Sequence, residues 1–181
     1  MEKFQFHSDG SVFFVTFSIV DWLPVFVSED SCRIVTDSLT FCHRKRGLRV
    51  NAFVIMPTHF HAILFHESFR ARELEAVVTD FRKFTCRQLC DFCERHMPNC
   101  FSDTFHAAAG PDRNRRFWQP SRHPMQIETE TFWQTKLDYL HENPCRKGMV
   151  NRAGQWRYSS AAHWLSDGAE PCDVPLSGFA W

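Results

Sequence analysis

Two histidines one residue apart, His59 and His61, stand inside the almost wholly apolar run FVIMPTHFHAILF at positions 53–65. Burying an imidazole costs free energy unless it finds a partner. Alternate residues of a strand share a face, so His59, His61 and Ile63 point one way and Phe60, Ala62 and Leu64 the other. The ordinary reading is one satisfied core histidine and one at the fringe of a sheet. Two on one face, directly after Pro57-Thr58, make chelation competitive, because two nitrogens on a rigid strand are pre-placed for one cation. Such a pair still needs further donors.

A second candidate segment is TFWQTKLDYLHENP at 131–144. At helical spacing Trp133, Leu137 and Leu140 form a narrow apolar stripe that should pack on a sheet. Beside it run Phe132, Lys136, Tyr139 and Asn143, so one strip presents an ammonium, a phenol and a carboxamide at the border of the buried face. Taken alone, the helix is better explained by a partly buried Tyr with a hydrogen-bonded hydroxyl and an Asn that stops it before Pro144. Together the two segments outline a chemistry. A phenol can attack phosphorus and form a phosphotyrosine ester, although with a pKa near 10 it is a weak nucleophile at neutral pH. A divalent ion held by two imidazoles and an amide oxygen would keep positions open for phosphate oxygens and stabilise developing charge. Tyr139 and Asn143 lie about one turn apart, so one helix could supply nucleophile and third ligand.

The elements that must position these groups are legible in outline. Residues 11–20, SVFFVTFSIV, read as a strand bounded by Asp9-Gly10. Cys32, Val35, Leu39 and Cys42 recur at helical spacing from about 28 to 45, with Ser28 or Asp30 as cap and Gly47 as terminator. LRVNAFVIM and HFHAILF flank Pro57-Thr58 and should form an antiparallel hairpin. A long amphipathic helix over 71–95 would turn Leu74, Val77, Val78, Phe81, Phe84 and Leu89 inward. Residues 97–124 read as an irregular excursion. The next helix, about 128–142, should stop near Asn143, because Pro144 disfavours helix in the residue before it. WRYSSAAHWL is a short amphipathic segment, and the tail from about 166 to 181 should wrap the surface. The order predicts a single α+β domain over 1–181, with helices on an antiparallel sheet.

Composition narrows the class. With 181 residues, 44% hydrophobic and 15% aromatic, the chain can bury a substantial core and is not disordered. No apolar run approaches the 18 or so residues of a membrane span, and the N-terminus lacks a secretory pattern. The expectation is a cytoplasmic protein without a membrane partner. Eight cysteines in a chain of this length are expected as reduced thiols. Cys86, Cys90 and Cys93 could in principle bind zinc, but they lack a second paired CxxC, and spacings of four and three fit one buried helical face. The formal net charge is zero, yet residues 43–122 carry 14 basic against 8 acidic groups. Three basic runs stand there: Arg44, Lys45 and Arg46; Arg82 and Lys83; and Arg113, Arg115 and Arg116. Interleaved with Phe and Trp, and joined by Lys136, they are candidates for holding a strand of nucleic acid.

MPTHFHAIL resembles the His-hydrophobic-His motif of the HUH single-strand DNA transposases and nucleases. FVTFSI, NAFVIMPTHFHAIL, FWQPSRHP, LDYLHENPCRKGMV and W-x-Y-S-S resemble, in order, segments of the REP-associated tyrosine transposases of that superfamily. The resemblance implies the HUH endonuclease architecture: a ferredoxin-like or RRM-like sheet with the histidine pair on a central strand. It implies Mg²⁺ or Mn²⁺ on His59, His61 and Asn143, with Tyr139 as nucleophile. It further implies cleavage and strand transfer of single-stranded DNA at a REP-like hairpin through a 5′-phosphotyrosine; the sequence is compatible with a monomer or homodimer. Tyr158 fits a packing motif, and His141, on another helix face, reads as surface or as support behind the site. The stretch before FWQ is longer than the usual family connection. A rival reading is a non-catalytic nucleic-acid-binding module on an RRM-like sheet, which leaves His59, His61 and Tyr139 together unexplained. A replication or conjugation nickase of the same superfamily shares the chemistry and would differ in substrate.

Overall fold

The computed structural model describes residues 11–111, 113–120 and 124–180. The Asp9-Gly10 boundary and residues 121–123 of FWQPSRHP lie outside the described residues. The chain runs β1 (Val12–Ser18), a 3-10 turn (Val20–Trp22), α1 (Glu29–Arg46), β2 (Leu48–Met56), β3 (His59–His66), α2 (Ala71–His96), α3 (Asn99–Ala107), β4 (Met125–Gln126), α4 (Glu130–Arg146), a second 3-10 turn (Ala153–Gln155) and α5 (Ala161–Leu165). The four strands form one antiparallel sheet in the order β2-β3-β1-β4. This is the ferredoxin-like arrangement.

Strand alternation divides the core in two. Phe13, Phe17, Phe53, Ile55, Phe60 and Leu64 face α1 and α2. Phe14, Val54, Met56 and Ile63 face the other way, against Leu137 and Leu140 of α4. Helix α1 starts where Ser28 accepts a hydrogen bond from the Ser31 amide, at 3.3 Å. It ends at Gly47, whose φ of +68° is the left-handed conformation that favours glycine, with the His66 and Glu67 side chains close against it.

The C-terminal segments extend the sheet past β2. The Ile55 amide donates to Tyr158 O, and the Ser160 amide to Phe53 O. Trp156 donates its indole N–H to Ile55 O at 2.9 Å. The tail is more than a surface wrap: the Ser177 amide donates to Val50 O, and Val174 is fully buried. Among the described residues, no helix is long and apolar enough to cross a membrane.

Four further details differ from the sequence reading. The expected irregular stretch 97–124 contains α3, which begins after Pro98 and packs Phe101 and Phe105 into the core beside α2. Proline is compatible with a helix start, so a residue that reads as a breaker is here an initiator. Helix α4 continues through Pro144 to Arg146, because a proline near a helix end forfeits only one hydrogen bond and the Lys147 amide still closes on Asn143 O. Phe84 is 46% exposed rather than inward, and lies under the Arg87 guanidinium. Strand β4 is two residues long, too short for any periodicity to announce it.

Candidate active site

Strand β3 lies inside the sheet, between β2 and β1. Thr16 of β1 is the register partner of His61, and its Oγ1 lies 2.8 Å from His61 Nδ1. Thr58 Oγ1 lies 3.0 Å from His59 Nδ1. With each hydroxyl accepting from an Nδ1–H, each Nε2 keeps its lone pair, the form in which imidazole ligates a metal. The rings are 4.7 Å apart. Burial, with the positive charge of Lys147, pushes the His59 pKa down to about 4. Burial, with His59 and Lys136, pushes that of His61 down to about 3. Both are neutral at physiological pH. His61 is only 5% exposed, and its Nε2 is buried with no hydrogen-bond partner. That orphan nitrogen is the unusual feature of the site, because buried polar atoms are nearly always paired.

The opposing wall is α4. Thr129 caps it by accepting from the Phe132 amide at 3.2 Å. Its rotation on the sheet is fixed from both ends. Near its start Trp133 Nε1 donates to Asn51 Oδ1 at 2.8 Å. Asn51 is the extra residue of a β-bulge between Val50 and Ala52, so its side chain is free to leave the regular pleat. Near its end His141 Nε2 meets Ser160 Oγ at 2.9 Å, and Ser160 is also held by Phe53. His141 is therefore buried, which excludes a surface position; its place is behind the turn of α4 that carries Tyr139.

So oriented, α4 sets Tyr139 at the mouth of the site, 39% exposed. Its ring stands edge-on to His61, 5.5 Å between centroids, and to Phe14 at 6.0 Å. Lys136 Nζ lies 5.1 Å from the Phe14 and Phe132 rings and 6.0 Å from that of Tyr139. The Arg146 guanidinium lies 5.5 Å from the Tyr139 ring. Asn143 is 4% exposed, and its Oδ1 is a second buried atom without a partner. Among the described residues no cluster of three or more His, Cys, Asp or Glu could hold a metal ion. A third side-chain ligand beside the two histidines is then a neutral one. Two orphan donor atoms of the nitrogen and carbonyl-oxygen type fit Mg²⁺ or Mn²⁺, with Mn²⁺ the better match to imidazole.

The structure thus brings His59, His61, Tyr139 and Lys136 together and puts Asn143 on the same helix, one turn beyond Tyr139. It does not gather the basic runs there. Arg44, Lys45 and Arg46 end α1, a helix on the other face of the sheet, and Arg46 pairs with Asp80 at 2.8 Å. Arg82 donates to Gln119 O and lies over the Phe17 ring. Lys83 is exposed on α2. Arg115 bridges Asp91 and Glu94 of α2, and Arg116 has a buried Nε. Arg113 belongs to the same loop. Cys90 and Cys93 are buried on α2 and Cys86 is partly so. Tyr158 packs at the edge of the α1 and α2 core. Thr16, Thr58, Arg146 and Lys147 were not singled out in the sequence. Thr58, Arg146 and Lys147 lie inside the quoted motifs, but the role of Thr16 depends on its pairing with His61 across two strands.

No family model and no curated protein matches the chain. Among solved structures, the fold is similar to that of a REP-associated tyrosine transposase bound to a REP hairpin, with a TM-score of 0.67 over 100% of this chain and 95% of that one, at 16% identity. At that identity the likeness establishes a shared fold.

Proposed function

We propose that the protein is a metal-dependent single-stranded DNA endonuclease and strand transferase that acts at REP-like hairpins through a 5′-phosphotyrosine intermediate. The observation that carries this reading is the pair of buried, unpartnered atoms, His61 Nε2 and Asn143 Oδ1, beside a half-exposed tyrosine. The hairpin substrate is taken from the structural neighbour, which was solved with one.

In this reading His59, His61 and Asn143 hold Mg²⁺ or Mn²⁺, which when bound polarises the scissile phosphate. Thr16 and Thr58 keep the imidazoles in the ligating tautomer and orientation. The Tyr139 hydroxyl, presented at the rim, attacks phosphorus. The bond from phosphorus to the 3′ oxygen breaks, the phenolic proton passes to solvent, and the departing oxygen takes up a proton as a free 3′-hydroxyl. One phosphoester replaces another, so no nucleotide cofactor is needed, and a second 3′-hydroxyl can reverse the step on a new strand. Lys136 and Arg146 flank the Tyr139 ring and supply positive charge for the phosphate oxygens.

Incubation with a labelled DNA hairpin and Mn²⁺ is expected to give an SDS-resistant adduct on the peptide containing LDYLHENP. A non-catalytic binding module would retain the hairpin and give no adduct.

A further inference from the structure

The 3-10 turn Val20–Trp22 carries two consecutive non-glycine residues in the left-handed region, Asp21 at φ 52° and Trp22 at φ 55°. Such a conformation is uncommon for any non-glycine residue, and a pair of them persists only where the surroundings over-determine it. Here they do. The Ile19 amide donates to Thr58 O, tying the turn to the residue that precedes His59. The Val20 amide donates to Phe117 O, and Gln119 Nε2 donates to Ile19 O, tying it to the end of the excursion. Val20 is buried and anchors the turn. What this braced backbone displays is an indole 52% exposed to solvent, standing edge-on to His59 with ring centroids 6.1 Å apart.

A large apolar ring held in water by a strained backbone, beside a candidate metal ligand, contributes little to packing. Its chain neighbour Asp21 is acidic and exposed, while the cationic groups belong to the His59–Tyr139 part of the site: Lys147 acts on His59, and Lys136 and Arg146 flank Tyr139. Aromatic faces for bases and ammonium or guanidinium groups for phosphates are the two contact types that hold unpaired nucleotides. We propose that Trp22 is the stacking platform for the base of an unpaired nucleotide next to the scissile phosphate. We assign to residues 117–119, the FWQ that follows the long connection, the role of holding that platform in place. This rests on the cleavage reading given above and extends it to substrate positioning.

The test uses the full chain carrying Tyr139→Phe, which removes the proposed nucleophile. The probe is a fluorescent DNA hairpin selected on that protein from a pool with randomised unpaired flanks. Affinity is measured for the intact hairpin and for versions in which each flanking nucleotide in turn is abasic. One abasic position is expected to weaken binding about tenfold, the size of one lost stack. Adding Trp22→Asn should weaken the intact hairpin by the same factor and erase the effect of that one abasic position. Asn tolerates the left-handed backbone, so the turn survives without the ring. Trp22→Phe should keep most of the affinity. Identical abasic profiles with and without Trp22→Asn overturn the platform and leave the cleavage reading standing. If the chain with Tyr139 intact forms no adduct on the selected hairpin while the abasic profile still responds to Trp22, cleavage fails and the platform holds. A selection that returns no hairpin removes both.

Discussion

The ring of Tyr139 on α4 stands edge-on to the imidazole of His61 on β3, 5.5 Å between centroids. Packing alone brings them together, since the two elements lie far apart in the chain. The hydroxyl is not among the groups that hold α4 down; Trp133, His141 and the Leu137–Leu140 stripe do that.

Tyr139→Phe should therefore abolish both cleavage and adduct while changing stability by about 1 kcal/mol or less. Tyr158→Phe should leave both activities in place. Gel analysis of the adduct and a denaturant titration check the two halves. Undiminished cleavage by Tyr139→Phe would overturn the nucleophile assignment.

His59→Ala and His61→Ala should each lose metal-dependent cleavage and keep most hairpin affinity, because charge contacts dominate nucleic acid binding. Asn143→Ala should raise the Mn²⁺ concentration needed for half-maximal adduct formation without preventing it at saturation. Thr16→Val should shift the same titration upward by about 10- to 100-fold, the usual effect of losing a partner behind a metal ligand. Mn²⁺ should serve at least as well as Mg²⁺. A Thr16→Val titration that superimposes on wild type would remove the positioning role of that hydroxyl.

Acid should destabilise the metal-free protein in a defined window. His141 is held neutral by burial, its pKa pushed down from 6.5 to about 4 despite the opposing pull of Asp138. Below pH 6.5 the unfolded chain takes up a proton that the folded chain refuses. Stability is thus full above pH 6.5 and falls as pH drops toward 4, at about 1.4 kcal/mol per pH unit for each such histidine. His59 and His61 act in the same direction. In the presence of chelator, His141→Gln should make the decline shallower by one proton's worth. An equal slope in both proteins would mean that His141 titrates normally.

The salt dependence of hairpin binding should follow Lys136 and Arg146 rather than Arg115. Lys136→Gln or Arg146→Gln should flatten the slope of log affinity against log salt by about one each. Arg115 already bridges Asp91 and Glu94, so Arg115→Gln should leave the slope unchanged. A flattened slope for Arg115→Gln would redirect the DNA path across α2.

The elements that carry the site were legible because each had a local signal. The period-two pattern placed His59 and His61 on one face, Gly47 and Ser28 marked the ends of α1, and the helical period grouped Lys136, Tyr139 and Asn143. What stayed hidden was settled by contacts between distant segments. The two-residue β4 exists through pairing with Phe13 and Phe14. His141 is buried because Ser160, remote in sequence, reaches it. The basic runs show the converse: they look alike in sequence, but whether an arginine is free depends on partners such as Asp80 and Glu94, which only the fold reveals.

The joint formed by Ser160 bears on the order in which the protein is made. The histidine strand and the tyrosine helix both leave the ribosome before residues 156–160, which brace α4 against β2. A nascent chain that has reached Met149 holds all of the proposed ligands and the proposed nucleophile, yet lacks one of the ties that orient α4 on the sheet. Catalytic competence would then arrive only as the last segments dock, and a stop codon shortly after Met149 would leave a chain that keeps the chemistry-bearing residues but not their alignment.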